Sequence, residues 1–152
     1  RRRMGDRAHV LAGPDLDAAV AAAREVRARA YAPYSQYRVG AALRGVDGAI
    51  FLGVNVENSA YPTCQCAERV AIGNAVTAGC RRFEAIAIVC EPSAAGVLGS
   101  PCGGCRQVMA EFGLELTVIL AAPSGDQREV VALGDLLPRA FTPANLELPG
   151  PR

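Results

Sequence analysis

Two short segments, Cys66-Ala67-Glu68-Arg69 and Pro101-Cys102-Gly103-Gly104-Cys105, constrain this chain more than anything else in it. Cysteines in such patterns hold metal, and a bound zinc takes three or four protein ligands. If the segments share one ion, the fold must join stretches more than thirty residues apart. A structural zinc is closed by four protein ligands, whereas a catalytic one has three and keeps a position for water. The first segment offers one thiolate, Cys66, and a carboxylate two residues on, Glu68. The second offers Cys102 and Cys105. Three ligands and a free carboxylate favour the catalytic kind. A four-thiolate structural site would need Cys64, but residues at i and i+2 diverge in most backbones.

The spacing also predicts local structure. If Cys66 starts one helix and Cys102 the next, all three sulfurs sit at helix N-termini, and Cys102 and Cys105 share a face. Helix N-termini favour negative charge and lower thiol pKa values. Three thiolates on Zn²⁺ leave a formal charge of −1, and an added hydroxide makes it −2, which opposes ionisation of bound water. Arg69 is placed to hydrogen-bond a ligand sulfur and withdraw charge. Glu68, beside the metal and not on it, can take the water proton and pass it on.

Composition narrows the class. The chain has 152 residues, 51% hydrophobic and 20% charged, enough for one domain with a real core. A net charge of +1 argues against a nucleic-acid partner. No apolar run approaches a membrane span. The six cysteines, at 64, 66, 80, 90, 102 and 105, avoid both ends, and no signal peptide precedes them. A reducing cytoplasm with metal-bound thiolates fits better than a disulfide framework. Cys80 and Cys90 read as small buried hydrophobes and Cys64 as a loop cysteine near the site. His9, the single histidine, reads as a solvated surface residue.

Residues 1–14, with their Arg1-Arg2-Arg3-Met4 start, are expected to be a disordered or artefactual end, and 15–143 a single domain. A helix capped by Asp15 or Asp17 runs to about Ala30, with Leu16, Val20 and Ala23 on its apolar face. Tyr31, Tyr34 and Tyr37 lie in a loop; packing on the core edge is the plain reading, with a role in the site as the alternative for Tyr34. Strands over 38–43 and 49–56 form a hairpin that delivers Asn55 and Glu57 at its end. A helix follows to Gly79, then a buried strand over 83–90 and a helix over 102–112. Strands over 116–121 and 129–132 and a helical turn near 136–138 complete the domain, and 144–152 reads as an extended tail. This order is α/β, a three-layer sandwich with a mixed five-stranded sheet.

The motifs together resemble the small, homotetrameric, zinc-dependent cytidine deaminases. Pro33-Tyr34-Ser35-x-Tyr37-x-Val39-Gly40-Ala41-Ala42-Leu43 is similar to that family's first-strand signature, and Gly53-Val54-Asn55-Val56-Glu57-Asn58 to its ribose-binding strand end. Tyr61-Pro62, the two cysteine segments and Leu136-Leu137-Pro138-x-Ala140-Phe141 follow in family order. The resemblance implies a cytidine deaminase-like fold and one Zn²⁺ per chain on Cys66, Cys102 and Cys105. It implies hydrolysis of cytidine and 2′-deoxycytidine to uridine and 2′-deoxyuridine in pyrimidine salvage, by Zn-bound hydroxide with Glu68 as proton shuttle. Asn55 and Glu57 would hold the ribose 3′-hydroxyl, the Ala67 backbone would contact the base, and Tyr37, where Phe is usual, would stack on it. Tyr61 and Phe141 would reach a neighbouring subunit's site in a homotetramer with shared active sites.

Two other classes compete. A related deaminase acting on a base within nucleic acid has no use for Asn55-x-Glu57, since a polynucleotide lacks a free 3′-hydroxyl at the target, and it would want a basic stripe. A zinc-binding interaction module without turnover differs from the enzyme in being indifferent to Glu68→Ala.

Overall fold

The structure, a computed structural model, describes residues 14–148. Expectations for His9 and the Arg1–Arg3 start fall outside what it describes, and Asp15 and Asp17, expected as alternative caps of the first helix, both lie inside it, because the helix begins at Pro14. The chain runs α1 (Pro14–Arg27), β1 (Gly40–Gly45), β2 (Ile50–Val54), a 3₁₀ turn (Tyr61–Thr63) and α2 (Ala67–Thr77). It continues through β3 (Phe83–Val89), α3 (Gly103–Ala110), β4 (Thr117–Ala121), β5 (Arg128–Ala132), α4 (Leu133–Leu136) and a 3₁₀ turn (Pro143–Leu146).

The five strands form one mixed sheet in the order β2-β1-β3-β4-β5. β1 pairs antiparallel with β2 and β3, β3 runs parallel to β4, and β5 returns antiparallel to β4. Strand side chains alternate between faces, and the alternation sorts the core into two layers. Ala42, Ala85, Ala87 and Val89 face Leu16, Ala19, Val20 and Ala23 of α1. Ala41, Leu43, Ile86, Ile88 and Val118 face Ala67, Ala71 and Ile72 of α2 and Cys105 and Met109 of α3. Every residue of β4 is buried, as a strand covered on both faces must be.

The three-layer sandwich expected from sequence is what forms. Small residues let α2 approach the sheet closely. A Cβ at Gly53 of β2 would lie 2.2 Å from the Ala67 carbonyl oxygen and 2.4 Å from the Ala71 nitrogen. That contact sets the height of α2's first turn above the sheet.

Three further expectations about local structure need correction. The helical turn near 136–138 begins at Leu133, because the chain passes from extended Ala132 directly into α4 and buries Leu133 completely. The tail expected to be extended from 144 opens with the 3₁₀ turn, which Thr142 and Asn145 close as a capping box. Bound in another way are Tyr31, Tyr34 and Tyr37, which do not pack on the core edge: all three are exposed, and Tyr34 meets Tyr61 edge-on with ring centroids 5.6 Å apart.

Candidate active site

The two cysteine segments meet at adjacent helix starts. Cys66 is the N-cap of α2 and Cys102 the N-cap of α3, both with extended backbone. The Cys102 sulfur accepts the Cys105 N–H at 3.5 Å, so it already serves as the cap acceptor of its helix. Arg106 fixes this turn. Its guanidinium donates to the Pro101 carbonyl at 2.7 Å, the Leu136 carbonyl at 2.8 Å and the Ser100 hydroxyl at 3.0 Å.

The sulfurs of Cys66, Cys102 and Cys105 all lie within 4.8 Å of one another. Thiolates at tetrahedral positions around zinc would be roughly 3.8 Å apart, so small side-chain rotations close this set on one ion. Hydrogen bonding from Cys105 is the main cause that brings the Cys66 thiol down to about 6, against the opposing effects of burial and Glu68. Cys105 is pushed up, first by its hydrogen bond to Cys66 and then by burial. The cluster thus favours one thiolate on Cys66, and a divalent cation would displace the remaining protons. Cys64 is not among the three. Its sulfur accepts the Asn58 N–H at 3.3 Å, and it lies along the cavity wall.

Glu68, in the first turn of α2, is 5% exposed. Burial raises its carboxyl pKa, opposed by hydrogen bonds from its own N–H and from Cys105. A cavity of about 360 Å³ opens beside it. The sequence-chosen residues Cys66, Cys102, Glu68, Ala67, Tyr37, Asn55 and Glu57 all line this cavity. Among the residues that line it there is no cation.

Asn55 and Glu57 are already engaged with the loop before β1. The Asn55 side chain accepts the Val39 N–H at 2.9 Å and donates to the Tyr37 carbonyl at 2.8 Å. Glu57 accepts the N–H groups of Tyr34 and Ser35 at 2.9 and 3.1 Å and the Ser35 hydroxyl. These bonds, the Ser35 hydroxyl first, hold its carboxyl below the usual range. The Tyr37 hydroxyl donates to the Glu91 carbonyl at 3.1 Å, and burial with the Cys90 contact pushes its pKa up to about 12. Gly99 makes room for this anchor, since a Cβ there would lie 2.2 Å from the Cys90 sulfur and 2.9 Å from the Tyr37 hydroxyl.

Four expected residues do not line the cavity: Cys105, fully buried beside the other two sulfurs, and Arg69, Tyr61 and Phe141. Arg69 is exposed, and its charge helps lower the Cys66 thiol without a hydrogen bond to sulfur among the described residues. Tyr61 and Phe141 are exposed, at 68% and 57%. The Phe141 carbonyl accepts from the Gln107 side chain at 2.7 Å, which ties its segment to α3. Sequence reasoning passed over Ser35, Gly99 and Arg106. Only Arg106 carried a signal, as a cation one turn beyond Cys102 on the same helix. A separate cavity between α1 and the turn before β5 has its cations spent: Arg24 on the carbonyls of Ala122 and Gly125, and Arg128 on Asp17.

Comparison with known proteins gives the same answer as the geometry. Residues 15–121 match the family described as the cytidine and deoxycytidylate deaminase zinc-binding region. The chain belongs to this deaminase family. The deaminase is 44% identical to a cytidine deaminase of Sporosarcina psychrophila over 133 residues, 87% of this chain and 95% of that one. Its fold superposes on the crystal structure of cytidine deaminase from Burkholderia pseudomallei with a TM-score of 0.76 at 49% identity, covering 82% of this chain and 98% of that one. Against the Mycobacterium tuberculosis cytidine deaminase structure the TM-score is 0.71 at 37% identity, covering 85% and 98%. The deaminase is a zinc-dependent hydrolase with one Zn²⁺ per chain, and its three-cysteine cluster is chemically suited to hold the ion. Among the described residues no helix is long and apolar enough to cross a membrane.

Proposed function

We propose that this deaminase hydrolyses cytidine and 2′-deoxycytidine to uridine and 2′-deoxyuridine, releasing ammonia, as a step of pyrimidine salvage in the cytoplasm. One observation carries the reading: a buried carboxylate and two of three convergent sulfurs line one cavity with two polar side chains suited to a sugar, the third sulfur lying buried beside them. Cys66, Cys102 and Cys105 would hold the zinc, which would supply Lewis acidity to make water a nucleophile at neutral pH. Glu68 accepts a proton from the attacking water and delivers it to the ring nitrogen as the C4–O bond forms. It then takes the proton of the new C4 hydroxyl and gives it to the amino group as the C4–N bond breaks. Burial raises the Glu68 pKa, which suits a group that must both take and release protons.

Tyr37 stacks on the pyrimidine, the Ala67 backbone contacts the base, and Asn55 and Glu57 hold a sugar hydroxyl. The carboxylate of Glu57 and the absence of a cation along the wall favour a neutral nucleoside over a nucleotide or a polynucleotide. Arg69 acts through the Cys66 thiolate, so Arg69→Ala should shift the acid limb of the pH–rate profile upward; an unmoved limb removes this role. Exposed Tyr61 and Phe141 support a homotetramer in which each reaches a neighbour's site. Light scattering that returns a monomer at working concentration would remove that part.

The experiment is a turnover panel of cytidine, deoxycytidine, deoxycytidylate, cytosine and single-stranded DNA. Turnover of the two nucleosides is expected. Preferred turnover of the nucleotide or the DNA would overturn the substrate class.

A further inference from the structure

The loop ahead of β1 is held in an unusual shape. Gln36 has φ of 59°, a left-handed conformation that is unfavourable for a side-chain-bearing residue. Such strain persists only where the surroundings impose it. Here the Gln36 N–H donates to the Ala32 carbonyl at 3.1 Å and its side chain to the Pro33 carbonyl at 2.9 Å. The turn's effect is to fold Tyr37 back onto Ser35, so that the Tyr37 N–H donates to the Ser35 oxygen at 3.0 Å. The Ser35 hydroxyl in turn donates to Oε1 of Glu57. The serine is therefore both acceptor and donor, and its proton is directed at the carboxylate.

An ionised carboxylate offers about four acceptor positions. Two on Oε2 are filled by the N–H groups of Tyr34 and Ser35, and one on Oε1 by the Ser35 hydroxyl. One position on Oε1 is left. Asn55 has spent one amide proton on the Tyr37 carbonyl and has one over. One remaining acceptor and one remaining donor match a single hydroxyl, which donates to the first and accepts from the second.

We propose that Ser35 is a positioning residue that fixes Glu57 with one acceptor position left over, so that the site reads one sugar hydroxyl. This rests on the nucleoside reading above and adds a residue to it. The left-handed turn at Gln36 is the device that aims the serine. Without the Ser35 hydroxyl, Oε2 stays held by the Tyr34 and Ser35 N–H groups, but Oε1 loses its only donor among the described residues and regains water, so the oxygen that faces the sugar is no longer fixed.

The test compares wild type, Ser35→Ala and Ser35→Thr on cytidine and on 2′,3′-dideoxycytidine, which lacks the sugar-ring hydroxyls. A lost hydrogen bond to a charged group is worth about tenfold or more in affinity. Ser35→Ala should raise KM for cytidine about tenfold while KM for the dideoxy nucleoside barely moves, and Ser35→Thr should restore the wild-type values. Adding Ser35→Ala to Glu57→Gln should cost much less than it does alone. A merely structural serine would raise both KM values alike, or lower kcat on both substrates, and that outcome overturns the proposal. So does an unchanged Ser35→Ala enzyme. Wild type that does not turn over cytidine at all overturns the nucleoside reading and takes this one with it; normal wild-type turnover with a silent Ser35→Ala overturns only the role of Ser35.

Discussion

At the scale of single residues, the proposed chemistry rests on Glu68 and the proposed sugar contacts on Glu57, and their environments differ. Glu68 is buried among apolar atoms and its carboxyl is raised; Glu57 is wrapped in donors and its carboxyl is lowered. Glu68→Ala should lower kcat by about 10²- to 10⁴-fold with zinc content per chain unchanged, measured by turnover and metal analysis. Glu57 makes a prediction in pH. Its folded pKa lies below its unfolded value of 4.5, so its contribution to stability is present above that value and is lost as pH falls through the folded one. Thermal melts of wild type should therefore weaken below about pH 4.5 more steeply than those of Glu57→Gln; parallel curves would show that the Ser35 and backbone donors do not hold the carboxylate. The sequence marked Glu68 by its spacing to Cys66, and Glu57 only through the family resemblance of the 53–58 segment. It carried no sign that the Asn55 amide also binds the 37–39 backbone, because those contacts depend on how the loop returns over β2.

Secondary-structure elements bring these residues together through two devices. The first is the close seat of α2 on β2 at Gly53. Gly53→Ala would drive a methyl group into backbone atoms of Ala67 and Ala71, which cannot rotate away. A loss of about 1–3 kcal/mol is expected, with lower kcat from displaced Glu68, read by melting temperature and turnover together. The second is the Arg106 brace across the start of α3. Arg106→Ala removes three hydrogen bonds that tie the Cys102 turn to Ser100, Pro101 and Leu136. Zinc affinity should fall about 10- to 100-fold in a chelator competition, and an unchanged affinity would mean the turn holds its shape without the brace. The starts of α2 and α3 were legible because a cap residue and its spacing are local, whereas α1 begins ahead of both aspartates expected to cap it. The exact site of α4 was not, since Leu133 enters it by burying its side chain against distant elements.

For the whole molecule, the sheet order joins two helix N-termini at one edge of the cavity, and this is what the cysteine segments demanded. β1, lying between β2 and β3, carries no metal ligand, yet it sets the lateral offset that lets Cys66 meet Cys102 and Cys105. That placement follows from hairpin pairing and from the parallel β3–β4 unit, both readable from apolar runs and turn residues. Exposed Tyr61 and Phe141 mark where one chain's sequence stops being informative: in the proposed homotetramer the groups they would meet belong to other copies. The central claim is that the three-cysteine cluster and Glu68 form a hydrolytic nucleoside site. The direct measurement is loss of cytidine absorbance on addition of the zinc-loaded protein, with zinc counted per chain. Cytidine should be consumed with about one zinc in each chain; full zinc occupancy without any loss of cytidine would contradict it.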